Sequence, residues 1–178
     1  FRGAVLYSKV FAEYIHKLLE EGHNIEQFIE GGRSRTGKLL MPKLGLLSIL
    51  LNALQEGASH DMIIVPIYIG YDQVLEEKAY LHEIEGGKKE DENLSQVMKA
   101  SRFLKKRYGK IYIQFSDPIS IRQLAARQQI EMTNMNPKQR NAFCRDIGTR
   151  VISAINRVTV VTPYAIVAAT ILNHGTSR

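Results

Sequence analysis

Apolar positions near the start of the chain recur at Val10, Phe11, Tyr14, Ile15, Leu18 and Leu19. That spacing predicts an amphipathic helix over residues 7–21, with Gly22 placed to stop it. A short extended segment, IEQFIE, follows, with Ile25, Phe28 and Ile29 apolar. Residues 44–55, LGLLSILLNALQ, are apolar nearly all round, which predicts a buried helix ending at Gly57. The β-branched run MIIVPIYIGY over residues 62–71 has the pattern of a central strand covered on both faces. Pro66 interrupts that run; without an N–H it belongs at a bulge, a strand end or an edge. The stretch up to Asn93 is acidic and reads as an irregular, exposed insertion. Residues 94–108 predict another helix, followed by KIYIQFSDPI, a strand ending at Asp117 and Pro118. Ser120 is then placed to cap a short helix. From Asn136-Pro137 a long helical pattern runs through Val158, and Thr162-Pro163 opens another that ends at Asn173-His174-Gly175.

Helix and strand alternate over the first ~125 residues, which predicts an α/β layer fold, a sheet with helices packed on it. After Met132 the pattern is wholly helical. Residues 1–132 are therefore expected to form an α/β domain and residues 133–178 the start of a helical C-terminal region. A chain of 178 residues can bury roughly two-thirds of its unfolded surface without staples. The one cysteine, Cys144, leaves no intramolecular disulfide framework. The longest apolar run, residues 158–172, is broken by Pro163 and is too short for a bilayer core of ~30 Å. Because the sequence opens on Phe1 rather than Met, it is expected to be a piece of a longer protein.

Charge changes this picture. The net +6 is the sum of a neutral first part, an acidic middle and a basic end: residues 1–71 balance, residues 72–98 carry −5, and residues 99–178 carry +11. So basic an end suits an anionic partner such as a membrane surface or a phosphorylated substrate. Nucleic acid fits less well, since the basic residues are not interleaved with aromatic stacking platforms.

Candidate chemistry concentrates in residues 28–45, FIEGGRSRTGKLLMPKLG. Gly31, Gly32 and Gly37 free the backbone to present N–H groups. Arg33, Arg35, Lys38 and Lys43 bring positive charge, and Ser34 and Thr36 bring hydroxyl donors. The one carboxylate is Glu30. Arginine forks match phosphate oxygens in bidentate fashion, and a loop at the carboxyl end of a strand in an α/β sheet lies where ligands usually bind. Residues 32–38 also satisfy G-x-x-x-x-G-K, the start of a nucleotide-binding P-loop. The next residue is Leu39, however, where that motif needs a Ser or Thr hydroxyl for Mg²⁺. Pro42 further disfavours a helix at Met41. Nucleotide hydrolysis is a poor fit.

The string FIEGGRSRTGKLLMPKLGLLS, followed about twenty residues later by IIVPIYIGYDQV, closely resembles the glycerol-3-phosphate acyltransferases of bacterial phospholipid synthesis. The resemblance covers residues 1–117 and extends loosely to INRVTVVTPYAIVAATIL in the tail. The wider superfamily, including dihydroxyacetone-phosphate acyltransferases, often has Thr in place of Gly32, so the double glycine favours the glycerol-3-phosphate branch. The resemblance implies a glycerolipid acyltransferase-like fold, incomplete here. It also implies transfer of a fatty acyl group from acyl-CoA or acyl-carrier protein to the sn-1 hydroxyl of glycerol-3-phosphate. It implies no metal and no bound cofactor, and a peripheral place on the cytoplasmic face of the cell membrane. By position, the substrate-binding residues it implies are Glu30, Gly31, Gly32, Arg33, Ser34, Arg35, Lys38 and Pro66. Arg33 and Arg35 are the main phosphate ligands, with Ser34 and the Gly31 and Gly32 amides in support. Glu30 either orients Arg33 or meets a glycerol hydroxyl. Pro66 matches a proline thought to shape the acyl or thioester site, although a strand-edge proline without contact to substrate fits equally well.

The family's general base is a histidine in an H-x-x-x-x-D motif. Five residues after His16, His23, His60 and His82 stand Glu21, Phe28, Val65 and Gly87, and His174 has only four residues after it. None is followed by Asp at the required spacing. The dyad is therefore expected upstream of Phe1, and residues 1–178 alone are expected to be inactive. The competing reading is a non-catalytic basic module that binds anionic membrane lipid. An H-x-x-x-x-D immediately upstream of Phe1 decides for the enzyme.

Overall fold

The computed structural model describes residues 4–32, 38–72 and 109–175. Two compact units are drawn from the chain, one from residues 1–66 and 115–157, the other from residues 67–114 and 158–178. The first unit holds the core.

Helix α1 (Val5–Glu20) and helix α2 (Gly45–Gln55) end alike. After α1 the Gly22 amide donates to Leu19 O and the His23 amide to Leu18 O, with Gly22 at φ +74. After α2 the Gly57 amide donates to Leu54 O and the Ala58 amide to Ala53 O, with Gly57 at φ +91. Both are Schellman turns, which satisfy the last carbonyls of a helix at the cost of one left-handed residue. α2 packs against α1 and against the long helix α4 (Pro137–Arg157). It buries Leu47, Leu50, Leu51, Ala53 and Leu54, as its nearly continuous apolar surface predicts. Ile15 of α1 and Phe143, Cys144, Ile147 and Val151 of α4 close the core around it.

The run 62–71 is not one central strand. It divides into β1 (Ile63–Ile64) and β2 (Ile67–Tyr71) on either side of Pro66. Pro66 has no N–H to give, yet its carbonyl accepts from Ser116 N, and its ring is fully buried. β1 pairs antiparallel with β4 (Ile119–Ser120), Ile63 opposite Ser120. Along 63–71 exposure alternates strictly. Ile63, Val65, Ile67, Ile69 and Tyr71 lie on an exposed face, and Ile64, Pro66 and Gly70 are more buried. The expectation of cover on both faces thus fails among the described residues, and the described sheets are two-stranded pairs. The extended segment 25–28 forms no strand either. An extended segment needs a neighbour to complete its ladder, and this one instead turns at Phe28 while Ile25 and Ile29 pack against the core. Mixed helix and small sheets agree with the α/β expectation at that coarser level.

In the second unit β2 pairs with β3 (Ile111–Phe115), and the Asp72 amide donates to Lys110 O beyond the end of β2. Helix α5 (Pro163–Gly175) completes that unit. Thr162 caps it by accepting from Ala165 N. The predicted helix 94–108 and the acidic stretch 73–93 lie outside the described residues.

The short helix α3 (Ile121–Arg127) starts at Ser120, whose hydroxyl accepts from Gln123 N at 3.0 Å. Asp61 reinforces that start. Its carboxylate accepts from Ser120 Oγ at 2.6 Å, from Arg122 N at 2.9 Å and from Met62 N at 2.8 Å. α4 opens on a reciprocal pair, Gln139 N to Asn136 Oδ1 and Asn136 N to Gln139 Oε1, with Pro137 in its first turn. Asn136 and Gln139 thus form a capping box.

Burial pushes the Asp61 carboxyl up, but the hydrogen bonds from Ser120, Arg122 and Met62 and the charge of Arg122 outweigh it and leave it below its ordinary value. A carboxylate shifted down stabilises the fold above its unfolded pKa of about 3.9 and loses that effect as pH falls through the lower folded value. Asp61→Asn is expected to cost about 2 kcal/mol at pH 7 in urea denaturation. The gap from wild type should narrow as pH falls below the unfolded carboxylate pKa of about 3.9 and through the lower folded value, as Asp61 takes up a proton. A gap that stays constant with pH would show that the charge is irrelevant.

Candidate functional site

The glycine-rich segment leaves the core at Ile29 and returns to it at Lys43. A turn starts the excursion, with Gly31 N donating to Phe28 O at 2.9 Å, and the Lys43 amide closes it on Ile29 O at 2.7 Å. Between these, Glu30 Oε2 accepts from the Leu40 amide at 3.2 Å, a side-chain clasp across ten residues of loop. Three hydrogen bonds therefore fix the two ends of the loop. Residues 38–44 are not helical, and α2 begins only at Gly45. A P-loop helix would begin at once after its lysine, so the nucleotide reading has no support in the backbone.

The two glycines at the start of the loop do different work. Gly31 has φ +63, in the left-handed region, and a Cβ built on it would stand 2.6 Å from Lys43 Cγ and 3.2 Å from Lys43 Cβ. Gly31 is needed both for its backbone conformation and for the space it leaves. Its amide is engaged in the turn. Gly32 has no positive φ, and a Cβ there would meet nothing within 4 Å.

The returning limb rests on α4. A Cβ at Gly148, in the middle of that helix, would stand 2.8 Å from Leu44 Cδ2 and 3.2 Å from Pro42 Cγ. Cys144, one turn earlier, lies with Sγ 4.0 Å from Leu44 O. Burial pushes the Cys144 thiol up, which suits a packing residue and not a nucleophile. Gly148 was not singled out from the sequence. Its one signal is a glycine inside an otherwise strong helical pattern, where it costs about 0.5–1 kcal/mol relative to Ala and so needs a reason.

Of the residues expected to bind substrate, Glu30, Gly31, Gly32, Lys38 and Pro66 are described, and the structure brings Glu30 and Gly31 to the returning limb. Arg33, Ser34 and Arg35 lie outside the described residues. Pro66 lies between β1 and β2. Among the described residues His16 faces Glu20 and Glu56, His23 faces Glu21, and His60 lies against Arg122, none of them an aspartate. A cleft of about 450 Å³ opens elsewhere in the first unit, lined in part by Gln128, Glu131, Gln139 and Asp146. Its carboxylates make it a poor place for a phosphate. Asp146 is already held by Gln128 and Arg150. Among the described residues no helix is long and apolar enough to cross a membrane.

Two family models match this chain. The acyltransferase family matches residues 2–70, which include the whole loop, and the glycerol-3-phosphate acyltransferase C-terminal region matches residues 80–177. The chain belongs to the glycerol-3-phosphate acyltransferase family. Among its curated relatives, the glycerol-3-phosphate acyltransferase of Pseudomonas fluorescens strain Pf-5 is 35% identical over 97% of this chain. That of Pseudomonas putida strain KT2440 is 36% identical over 100% of it. That of Pseudomonas syringae pv. tomato strain DC3000 is 35% identical over 97%. The chain spans 22% of the length of each of these relatives. The two glycines at the start of the clasped loop, Gly31 and Gly32, are expected to differ in tolerance. Gly31→Ala should cost about 2 kcal/mol from the left-handed backbone and the collision with Lys43. Gly32→Ala should stay within about 0.5 kcal/mol. Thermal unfolding of the two variants side by side checks this, and equal losses would mean that the loop backbone is not the one described.

Proposed function

We propose that this chain is the downstream part of the acyltransferase domain of a glycerol-3-phosphate 1-O-acyltransferase and carries the acceptor site. The observation that carries this reading is the EGGRSRTGK loop with its ends fixed, in a chain belonging to this family. The ends of the loop are held at Ile29, Glu30, Leu40 and Lys43, and its sequence of two arginines, two lysines and a serine suits a phosphate dianion.

In the proposed reaction the sn-1 hydroxyl of glycerol-3-phosphate attacks the carbonyl of a fatty acyl thioester on coenzyme A or acyl-carrier protein. The new ester C–O bond forms, the C–S bond breaks, and the hydroxyl proton passes to a general base as the thiol leaves. A histidine oriented by an aspartate is the appropriate base near neutral pH. No residue of this chain is assigned that part. The role of this chain is to bind the phosphate and so place the hydroxyl, converting a bimolecular encounter into a positioned one. Arg33 and Arg35 are the proposed phosphate ligands, with Ser34, Gly32 and Lys38 around them and Pro66 toward the acyl side. The clasp to Leu40 gives Glu30 a positioning role in the loop.

The same reading places the protein peripherally at the cytoplasmic face of a membrane. Supporting it, α5 exposes Tyr164, Ile166, Val167, Ile171 and Leu172, and residues 99–178 carry the +11 excess. An exposed apolar helix and an excess of positive charge each suit an anionic lipid surface. The proposed fold of the complete domain is that of the glycerolipid acyltransferases, with the open face of β2 and β3 as part of it.

In the intact enzyme, Arg33→Ala is expected to raise KM for glycerol-3-phosphate by about ten- to a hundredfold, the range for losing a hydrogen bond to a charged group. KM for the acyl thioester should change little. Parallel loss for both substrates points to a folding defect and overturns Arg33 as a phosphate ligand.

A further inference from the structure

Helix α1 is apolar round more of its circumference than the described residues cover. Ile15 is buried, and Phe11, Leu18 and Leu19 pack against the core. Leu6, Val10 and Tyr14 stand at four-residue spacing and form a second apolar row beside that one. They are 77%, 59% and 58% exposed. Tyr7 continues the surface between the rows, its ring stacked on Phe11 with centroids 6.4 Å apart. Val10 and Tyr14 belong to the same helical pattern as Phe11 and Ile15. The pattern therefore calls for cover on two sides of the helix, and the described residues supply it on one. Apolar side chains scattered singly over a surface are ordinary, whereas a contiguous patch marks a contact site.

Charge, position and chain length choose the occupant. The opposite flank of α1 carries Lys9, Glu13, His16 and Glu20, and Lys17 is held by Glu20 at 3.1 Å and Glu21 at 3.8 Å. A helix that lies on anionic lipid has a polar face rich in Lys and Arg, which this mixed flank is not. The row begins at Leu6, in the first turn of α1, so polypeptide joined ahead of Phe1 would reach it over a short tether. Such a tether gives an effective concentration on the order of millimolar, an advantage that a second copy lacks. The curated relatives have ample polypeptide for this, since the chain spans 22% of their length.

We infer that the row Leu6, Val10 and Tyr14 is the docking surface for an apolar segment of the same polypeptide that precedes Phe1. This rests on one part of the proposed function, that the chain is the downstream part of a longer domain. The test uses the full-length enzyme with a photoreactive phenylalanine analogue, benzoylphenylalanine, in place of Tyr14. A second variant carries it in place of Val10, so that misfolding at one position leaves the other to decide. A third carries it in place of Lys9, on the polar flank. After irradiation the crosslinked peptides are identified by mass spectrometry. The expected product has the mass of one polypeptide and joins residue 14 or 10 to a peptide N-terminal to Phe1, and residue 9 gives none of it. A product of two polypeptides, a lipid adduct, a crosslink within residues 1–178 or C-terminal to them, or no crosslink overturns the inference. KM for glycerol-3-phosphate in Arg33→Ala tests the acceptor site separately. If that KM is unchanged and the upstream crosslink forms, the acceptor-site reading fails and the docking surface stands. If that KM rises and the crosslink does not form, the docking surface alone fails.

Discussion

The limb from Pro42 to Leu44 can return to the core because of the side chain missing at Gly31 and the space left at Gly148. A Cβ on Gly31 would stand inside the stem of Lys43, and one on Gly148 would press on Leu44 and Pro42. Interiors are packed closely enough that a single methyl is felt. The loop therefore has its shape by exclusion as much as by attraction. The hydrogen bonds at Ile29, Glu30 and Gly31 are modest individually, about 1 kcal/mol each, and act together because the limb has nowhere else to lie.

That constraint couples segments far apart in the chain. α2 begins directly after the limb and is the apolar centre of the first unit, packed against α1 and α4. The residues that close the loop are therefore continuous with the core, and α4 touches the loop's base through Gly148 and Cys144. The two ends of the loop thus share the stability of the core. In the proposed acceptor site, such anchored ends would suit the positioning of a hydroxyl for attack.

Much of this was legible in the sequence, and the legible part is local. Gly22 and Gly57 stop their helices, Ser120 and Thr162 cap theirs, and Asn136-Pro137 opens α4 at the expected residue. Each signal works through atoms within a few residues. The loop's chemistry was equally local, a matter of which residue types stand together. The strands were harder to place. The run 62–71 has the composition of a covered central strand, but cover is supplied by other segments; Pro66 signalled a break in the run, and only the pairing shows that it ends one strand and precedes another. Gly148 and the Glu30 clasp escaped for the same reason. The one is a packing contact across the fold, the other a side chain meeting a backbone amide ten residues on.

Glu30 bears most directly on how the proposed site works. A carboxylate at the mouth of a phosphate loop is unfavourable on charge alone, since it repels the ligand and competes for the arginines. Its hydrogen bond from Leu40 N changes that balance in two ways. The amide takes up part of the negative charge locally, and the carboxylate is held at the base, where it faces the loop's own backbone. The negative group then ties the two limbs of the loop together through the Leu40 amide. In this arrangement the run of glutamate, two glycines and arginine is one device. The acid closes the loop, the first glycine makes room for the return, and the second has open space around it.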